Sequence, residues 1–419
     1  MTAVRILRIA AGGDGVGALS DGRTIFVPRT APGDLVELGR VKHAKRFSRG
    51  RLARVLEPGP NRVVPACPHY TRDDCGGCQL QHLNAAAQLS AKQSIVGETL
   101  RRLGKVEVPD PSVIPAGKMW EYRAKISLAR DARGRIGLHP MDRPAEVFDL
   151  KHCYITEPAL MAVWSVIYRE RRLLPEDLSS LVLRLDRLGG RHVVVETGGK
   201  RVWQRGAELH RALLAASVTA VVWYQPEGGA PRVVAGAADA YPATVFEQVN
   251  PEMGDTVRAY AIERLGPVAG CHVWDLYSGI GETTAALLAA GATVESVEAD
   301  PRAVRLALSR ARKALGIGAE GSLPRGIAGH VGRVEDTLAK LKDPDLIIAN
   351  PPRGGIESRA IDGILERKAR RFVYISCDPA TLARDVARLA PGFRTAGVQA
   401  FDLFPQTAHV ETVAGLEGI

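Results

Sequence analysis

Three segments near the C-terminus share one design, an apolar run that ends in polar or conformationally special residues. They are Val273-Trp-Asp275-Leu-Tyr277-Ser-Gly279-Ile-Gly281, Ile347-Ile-Ala-Asn350-Pro351-Pro352-Arg353 and Phe372-Val-Tyr-Ile-Ser376-Cys377-Asp378-Pro379. With a further run near 293–298, they read as strands near 272–276, 293–298, 345–349 and 371–376, separated by helical pattern. That alternation is the signature of a doubly wound, Rossmann-like α/β domain, in which ligands bind at the carboxyl edge of a parallel sheet. Every special residue above falls on that edge.

The rest of the chain divides by pattern. With 419 residues it exceeds one hydrophobic core, and three parts are expected: a β-barrel over 1–58, a central mostly-β domain over 59–249 and the α/β domain over 250–419. Residues 1–58 hold short apolar runs broken by glycine turns, as in small OB-like barrels. A helix over about 83–104, with Leu89, Ile95, Val96 and Leu100 on one face, is placed to pack on the C-terminal domain. From Trp120 to Val249 strands are expected, with one helix near 157–170, and 316–329 reads as a loop insertion. No run of about 18 apolar residues is present, so a cytoplasmic protein without membrane contact is expected, and a monomer.

The net charge is +10, and the first 60 residues hold 11 Lys/Arg against 5 Asp/Glu. This excess points to a polyanion, with the segment Lys42 to Arg51 and its single aromatic, Phe47, as a basic arm.

Gly279 and Gly281 would let a ligand approach the start of the next helix. Glu298, 23 residues after Asp275, is placed to accept hydrogen bonds from ribose hydroxyls. The third glycine of a dinucleotide fingerprint is replaced by Thr284, so S-adenosylmethionine fits better than NAD. Asn350, stiffened by two prolines, joins the same edge.

Of six cysteines, Cys67, Cys75 and Cys78 lie in one loop, and Cys153 stands downstream. Four thiols can bind zinc or an iron–sulfur cluster, and spacing alone does not separate the two. Cys271 reads as core. Cys377 differs, because its neighbours Ser376, Asp378 and Thr381 are polar. Beside a sulfonium cofactor a thiolate has a specific use: added to carbon 6 of a uracil, it makes carbon 5 nucleophilic enough to accept a methyl group. A base must then remove the carbon 5 proton, and Glu411 is the candidate.

Together, Cys75-Gly-Gly-Cys-Gln-Leu-Gln-His82, Phe246-Glu-Gln248-Val-Asn250, Asp275 to Gly281, Ser376 to Asp385 and Asp402-Leu-Phe-Pro-Gln-Thr-Ala-His-Val-Glu411 resemble the RNA uracil-C5 methyltransferase family. The resemblance is to its TRAM-domain, [4Fe-4S] members that modify 23S rRNA. It implies RNA as the partner, Gln248, Tyr277, Glu298 and Asn350 as contacts to S-adenosylmethionine, Cys377 as nucleophile and Glu411 as base. It also implies Cys67, Cys75, Cys78 and Cys153 as ligands of a [4Fe-4S] cluster. Asn350 stands where the family has aspartate, Glu282 and Arg333 where it often has asparagine, and the first gap between cluster cysteines is two residues longer. Transfer RNA as substrate, an amino-group methyltransferase and a non-catalytic RNA-binding factor are the alternatives; in the second, Asn-Pro-Pro would be followed by an aromatic rather than Arg353.

Overall fold

A computed structural model describes residues 3–199, 202–237, 244–319 and 321–419. Strands β1 (Ala3–Ile9), β2 (Gly15–Ala18), β3 (Thr24–Val27), β4 (Leu35–His43) and β5 (Ser48–Glu57) close into a barrel in the order β1-β2-β3-β5-β4. Alternation fills it: Val4, Ile6, Ile25, Val27, Val36 and Leu38 point inward. The expected basic arm is the tip of the β4–β5 hairpin. Its aromatic does not project freely, because Phe47 packs edge-on against Phe26 with ring centroids 5.6 Å apart. Two of its arginines are already paired, Arg49 with Asp14 and Arg51 with Asp74, as is Arg54 just beyond it with Glu37.

The cysteine loop contains the short α1 (Pro68–Arg72) and leads into α2 (Ala85–Thr99), which Asn84 caps by accepting the Ala87 N–H and which continues as a π turn, Leu100–Gly104. Val96 and Leu100 are buried in the core of the C-terminal sheet, and β6 (Val113–Ile114) is an edge strand of that sheet. Next come β7 (Lys125–Arg130), β8 (Ile136–Leu138), β9 (Phe148–Asp149), α3 (Pro158–Arg169), β10 (Leu178–Leu185), β11 (Arg191–Thr197), α4 (Gly206–Ala215), β12 (Val221–Gln225) and β13 (Arg232–Ala235). Their sheet runs β13-β12-β11-β10-β7-β8-β9. Helix α4 adds to the single helix expected here, and its Leu209 and Leu213, one turn apart, are buried in the same core as α3.

The remaining elements are α5 (Pro251–Leu265), β14 (His272–Leu276), α6 (Glu282–Ala289), β15 (Thr293–Glu298), α7 (Pro301–Ala314), β16 (Ala328–Val331), α8 (Val334–Thr337), β17 (Leu346–Ala349), α9 (Ser358–Leu365), β18 (Arg371–Ser376), α10 (Pro379–Leu389), β19 (Phe393–Phe401) and β20 (Glu411–Gly418). The sheet order is β16-β15-β14-β17-β18-β20-β19-β6. Strands β16 to β18 are parallel, and β20 runs antiparallel to β18. The 316–329 stretch is therefore no simple insertion: it ends in edge strand β16, and residue 320 within it lies outside the described residues. Successive residues alternate between two cores, Trp274, Ile347 and Phe372 on one face and Val273, Ile348 and Val373 on the other. Both faces are thus covered. Chain order reverses between β14 and β17, which opens a crevice at their carboxyl ends. Among the described residues no helix is long and apolar enough to cross a membrane.

Candidate active site

A cavity of about 1140 Å³ occupies that crevice and extends to the cysteine loop. Its lining includes Gln248, Tyr277, Gly279, Glu298, Asn350, Cys377 and Glu411, and also Cys67, Cys75, Cys78 and Cys153. Residues from distant parts of the chain therefore share one space.

The two glycines after β14 serve different ends. Gly279 has φ +54°, and a Cβ there would meet nothing within 4 Å, so its backbone borders open space. Gly281 has φ +75°, and a Cβ there would lie 2.5 Å from Ala307, so it permits close packing of α6 on α7. Glu298 fixes this turn: its carboxylate accepts the N–H of Gly279 at 3.0 Å and that of Asp300 at 2.9 Å. Thr284, standing where a third glycine would, donates its hydroxyl to Asp275. Burial pushes Asp275 up to about 7. Tyr277 adopts φ +60°, a left-handed conformation that a bulky residue holds only under constraint.

Cys377 directly follows β18, in a turn where Ser376 Oγ accepts the Asp378 N–H at 3.1 Å and Asp378 caps α10 through the N–H groups of Ala380 and Thr381. The antiparallel register pairs Ser376 with Thr412. Cys377 and Glu411 each lie one residue beyond that last pair, and both line the cavity. Glu411 is 1% exposed, and its Oε2 has no hydrogen-bond partner among the described residues. Burial alone pushes it up to about 8. Burial also raises the Cys377 thiol, as does the charge of Glu411, while Arg353 opposes both. The loop that carries Arg353 is tied to α10: Ile356 N–H donates to Asp385 at 2.8 Å, and Arg384 donates to Gly354 O at 2.7 Å.

Sequence reasoning missed the residues that hold the segment before Glu411. Lys92 and Asp402 form an ion pair of which neither side chain is exposed, and Lys92 also donates to Phe404 O at 3.0 Å. Gln88 accepts the Gln406 N–H and donates to its side-chain oxygen, both at 3.0 Å. Gln88 and Lys92 lie on the buried face of α2 among Ala91, Ile95 and Val96, where their polarity was the available signal. The departing positions are engaged within the protein: Glu282 pairs with Arg187 at 3.0 Å and with Arg258, and Arg333 with Glu335. Cys271 is half-buried at the edge of the core rather than within it, and its sulfur accepts from Arg370.

All six cysteines are free thiols. Burial raises Cys67, Cys78 and Cys75, the last to about 11, and each also feels the charge of Cys153. Among the described residues no three His, Cys, Asp or Glu side chains are gathered as a metal group.

A 23S rRNA (uracil(1939)-C(5))-methyltransferase, RlmD, of Halomonas elongata is 32% identical, covering 98% of this chain and 88% of its own. The chain belongs to the RNA uracil-C5 methyltransferase family. RlmD of an Azoarcus species is likewise 32% identical, with 95% of both chains covered. A family model described as tRNA (Uracil-5-)-methyltransferase matches residues 330–418, the segment that holds Asn350, Cys377 and Glu411. The fold is shared with a tRNA (uracil-54, C5)-methyltransferase of Pyrococcus abyssi, solved with S-adenosyl-L-homocysteine, at TM-score 0.73, 23% identity and 99% coverage of each chain.

Proposed function

We propose that this protein methylates carbon 5 of one uridine in RNA, most closely 23S rRNA, with S-adenosylmethionine as methyl donor and Cys377 as covalent nucleophile. What supports the reading is that Cys377, just past the carboxyl end of β18, shares the cavity with Glu411, whose charge it feels, and with Gly279. Donor and residues fit: Glu298 is held with its carboxylate toward the turn, Gly279 leaves space, and Gln248, Tyr277 and Asn350 complete the wall.

In this mechanism the Cys377 thiolate bonds to carbon 6 of the uracil, and the displaced electron pair moves through carbon 5 onto the carbonyl oxygen at position 4. Carbon 5 then takes the methyl group, and S-adenosylhomocysteine leaves. Glu411 accepts the carbon 5 proton, the pair left behind re-forms the ring double bond, and the Cys377 thiolate departs. The balance is uridine plus methyl donor giving 5-methyluridine, S-adenosylhomocysteine and one proton. A base within a helical stack is out of reach of Cys377, so the uridine must flip out. Phe246, 67% exposed on the cavity wall, is placed to stack on it.

Cys67, Cys75, Cys78 and Cys153 supply the donor type a [4Fe-4S] cluster takes and border one cavity, though among the described residues they are not gathered as a metal group. Bound there, the cluster would tie the cysteine loop to the segment of Cys153 and hold as thiolates groups that burial otherwise keeps protonated. The barrel would act as a TRAM-like RNA grip, and the enzyme would work in the cytoplasm as a monomer.

The test is incubation with the methyl donor and RNA carrying 5-fluorouridine, whose fluorine cannot leave as a proton. A heat-stable protein–RNA adduct is expected, absent from Cys377→Ala, which should keep its RNA affinity. An active enzyme that forms no adduct would overturn the covalent route. Transfer RNA as substrate is the second reading, after the description of the family model that matches residues 330–418. Mapping 5-methyluridine in both RNAs from cells with and without the gene decides between them.

A further inference from the structure

We propose a second RNA contact, a backbone phosphate site formed by Arg130, Arg169, Arg171 and Arg172 between the β7–β8 hairpin and the C-terminal end of α3; it rests on the RNA-substrate reading above. A separate concavity of about 380 Å³ is lined by these four arginines with Gly134 and Ile136. Four guanidinium groups around one hollow make a positive concavity whose charge an entering anion would offset.

The nearby carboxylates neutralise one of the four. Glu170 pairs with Arg172 at 3.3 Å, but Asp131 is taken by Arg135 at 2.6 Å and Glu208 by Arg205 at 2.8 Å. Among the described residues Arg130, Arg169 and Arg171 have no carboxylate within ion-pair distance. Two of these three are already oriented. Arg130, half-buried, donates to Pro175 O at 3.0 Å, and Arg171 lies 4.9 Å from the Tyr168 ring centre while donating to Tyr168 O. A guanidinium fork matches the oxygens of a phosphate.

The ligand is backbone rather than base, because no aromatic side chain lines the hollow. Strand β7 leads from Lys125, on the wall of the large cavity, to Arg130. Five steps of about 3.3 Å place the site roughly 17 Å from that wall. It therefore grips RNA flanking the flipped uridine, not the target nucleotide.

Arg169→Gln/Arg171→Gln alters two exposed side chains away from the cavity. Binding of a 23S rRNA transcript should weaken about tenfold or more, and the slope of log affinity against log salt should fall by about 1.5, near 0.7–0.9 per lost phosphate contact. Single-turnover methylation at saturating RNA should be unchanged, and Arg169→Lys/Arg171→Lys should restore most of the affinity. Should the double variant misfold, Arg169→Gln alone, which removes no ion pair, must still lower the slope. Wild-type affinity and slope in a folded variant would refute this site while leaving the RNA reading intact; wild-type protein with no salt-dependent RNA binding would sink that reading instead.

Discussion

Glu411→Gln should make the protein more stable, by an amount that grows with pH. The carboxyl is buried without a partner for Oε2, and its pKa rises from 4.5 to about 8 through burial alone. Above pH 4.5 the unfolded chain releases a proton that the folded protein still holds. The stability this group contributes is therefore complete below pH 4.5 and is lost progressively as pH rises to about 8. At about 1.4 kcal/mol per pH unit the loss across that interval sums to about 5 kcal/mol. A glutamine has no proton to lose, so the variant is spared. Asp275 is shifted in the same direction but is common to both proteins and cancels. For a chain of 419 residues about 1 °C accompanies each kcal/mol, so the gap in Tm between variant and wild type should widen by about 5 °C from pH 5 to 8 and then level off. Thermal unfolding of both proteins at half-unit pH steps measures it. Parallel profiles would refute the claim that Glu411 is held neutral by burial.

In turnover the same variant should stall after methyl transfer, leaving a methylated protein–RNA adduct on denaturing gels; free release of 5-methyluridine would remove Glu411 from the role of base. Single-turnover rates should rise with pH through about 8 as Glu411 loses its proton, and a flat profile between pH 6 and 9 would count against it. Arg353→Gln removes the charge that opposes the rise of the Cys377 thiol, so the pH profile of adduct formation should move upward while RNA affinity changes little. Lys92→Met strands the buried Asp402 carboxylate and should cost about 3–5 kcal/mol in denaturant unfolding. Lys92→Met/Asp402→Leu should recover most of that loss; equal costs would mean the pair is not coupled.

Features legible in the sequence are those set by a single strand end. The turn after Leu276, the Asn350 loop and Cys377 each follow a short apolar run, and a parallel sheet brings such ends to one edge. Strands β19 and β20 escaped notice for physical reasons. The former carries a bulge between Thr395 and Gly397, and the latter is buried on both faces for most of its length, so neither alternates. The nearness of Cys377 to Glu411 depends on antiparallel pairing of β18 with β20, a tertiary choice that neither segment reveals alone. Helix α2 shows the converse. Its apolar face was visible, but reading only apolar positions passed over Gln88 and Lys92, the two residues on that face that reach the loop before Glu411.

That loop shows why the site depends on the first half of the chain. Gln406 sits at φ +69°, a conformation that costs a non-glycine residue about 1 kcal/mol or more unless its surroundings enforce it. Here they do. Its carbonyl accepts the N–H groups of Gln79 and Leu80 at 3.1 and 2.9 Å, Gln88 takes its own N–H, and Tyr122 donates to Pro405 O at 2.9 Å. Gln79 follows Cys78 directly, so the loop before Glu411 is fastened to the cysteine loop and to α2. A fragment comprising 250–419 keeps Cys377, Arg353 and Glu411 but loses every one of these partners, together with Val96 and Leu100 from its core. It should release no 5-methyluridine from RNA even where circular dichroism shows native-like strand content. Supplying 1–249 as a second chain should restore product release in proportion to complex formed. Turnover by the isolated fragment would refute the dependence, because Glu411 would then be positioned by the C-terminal sheet alone.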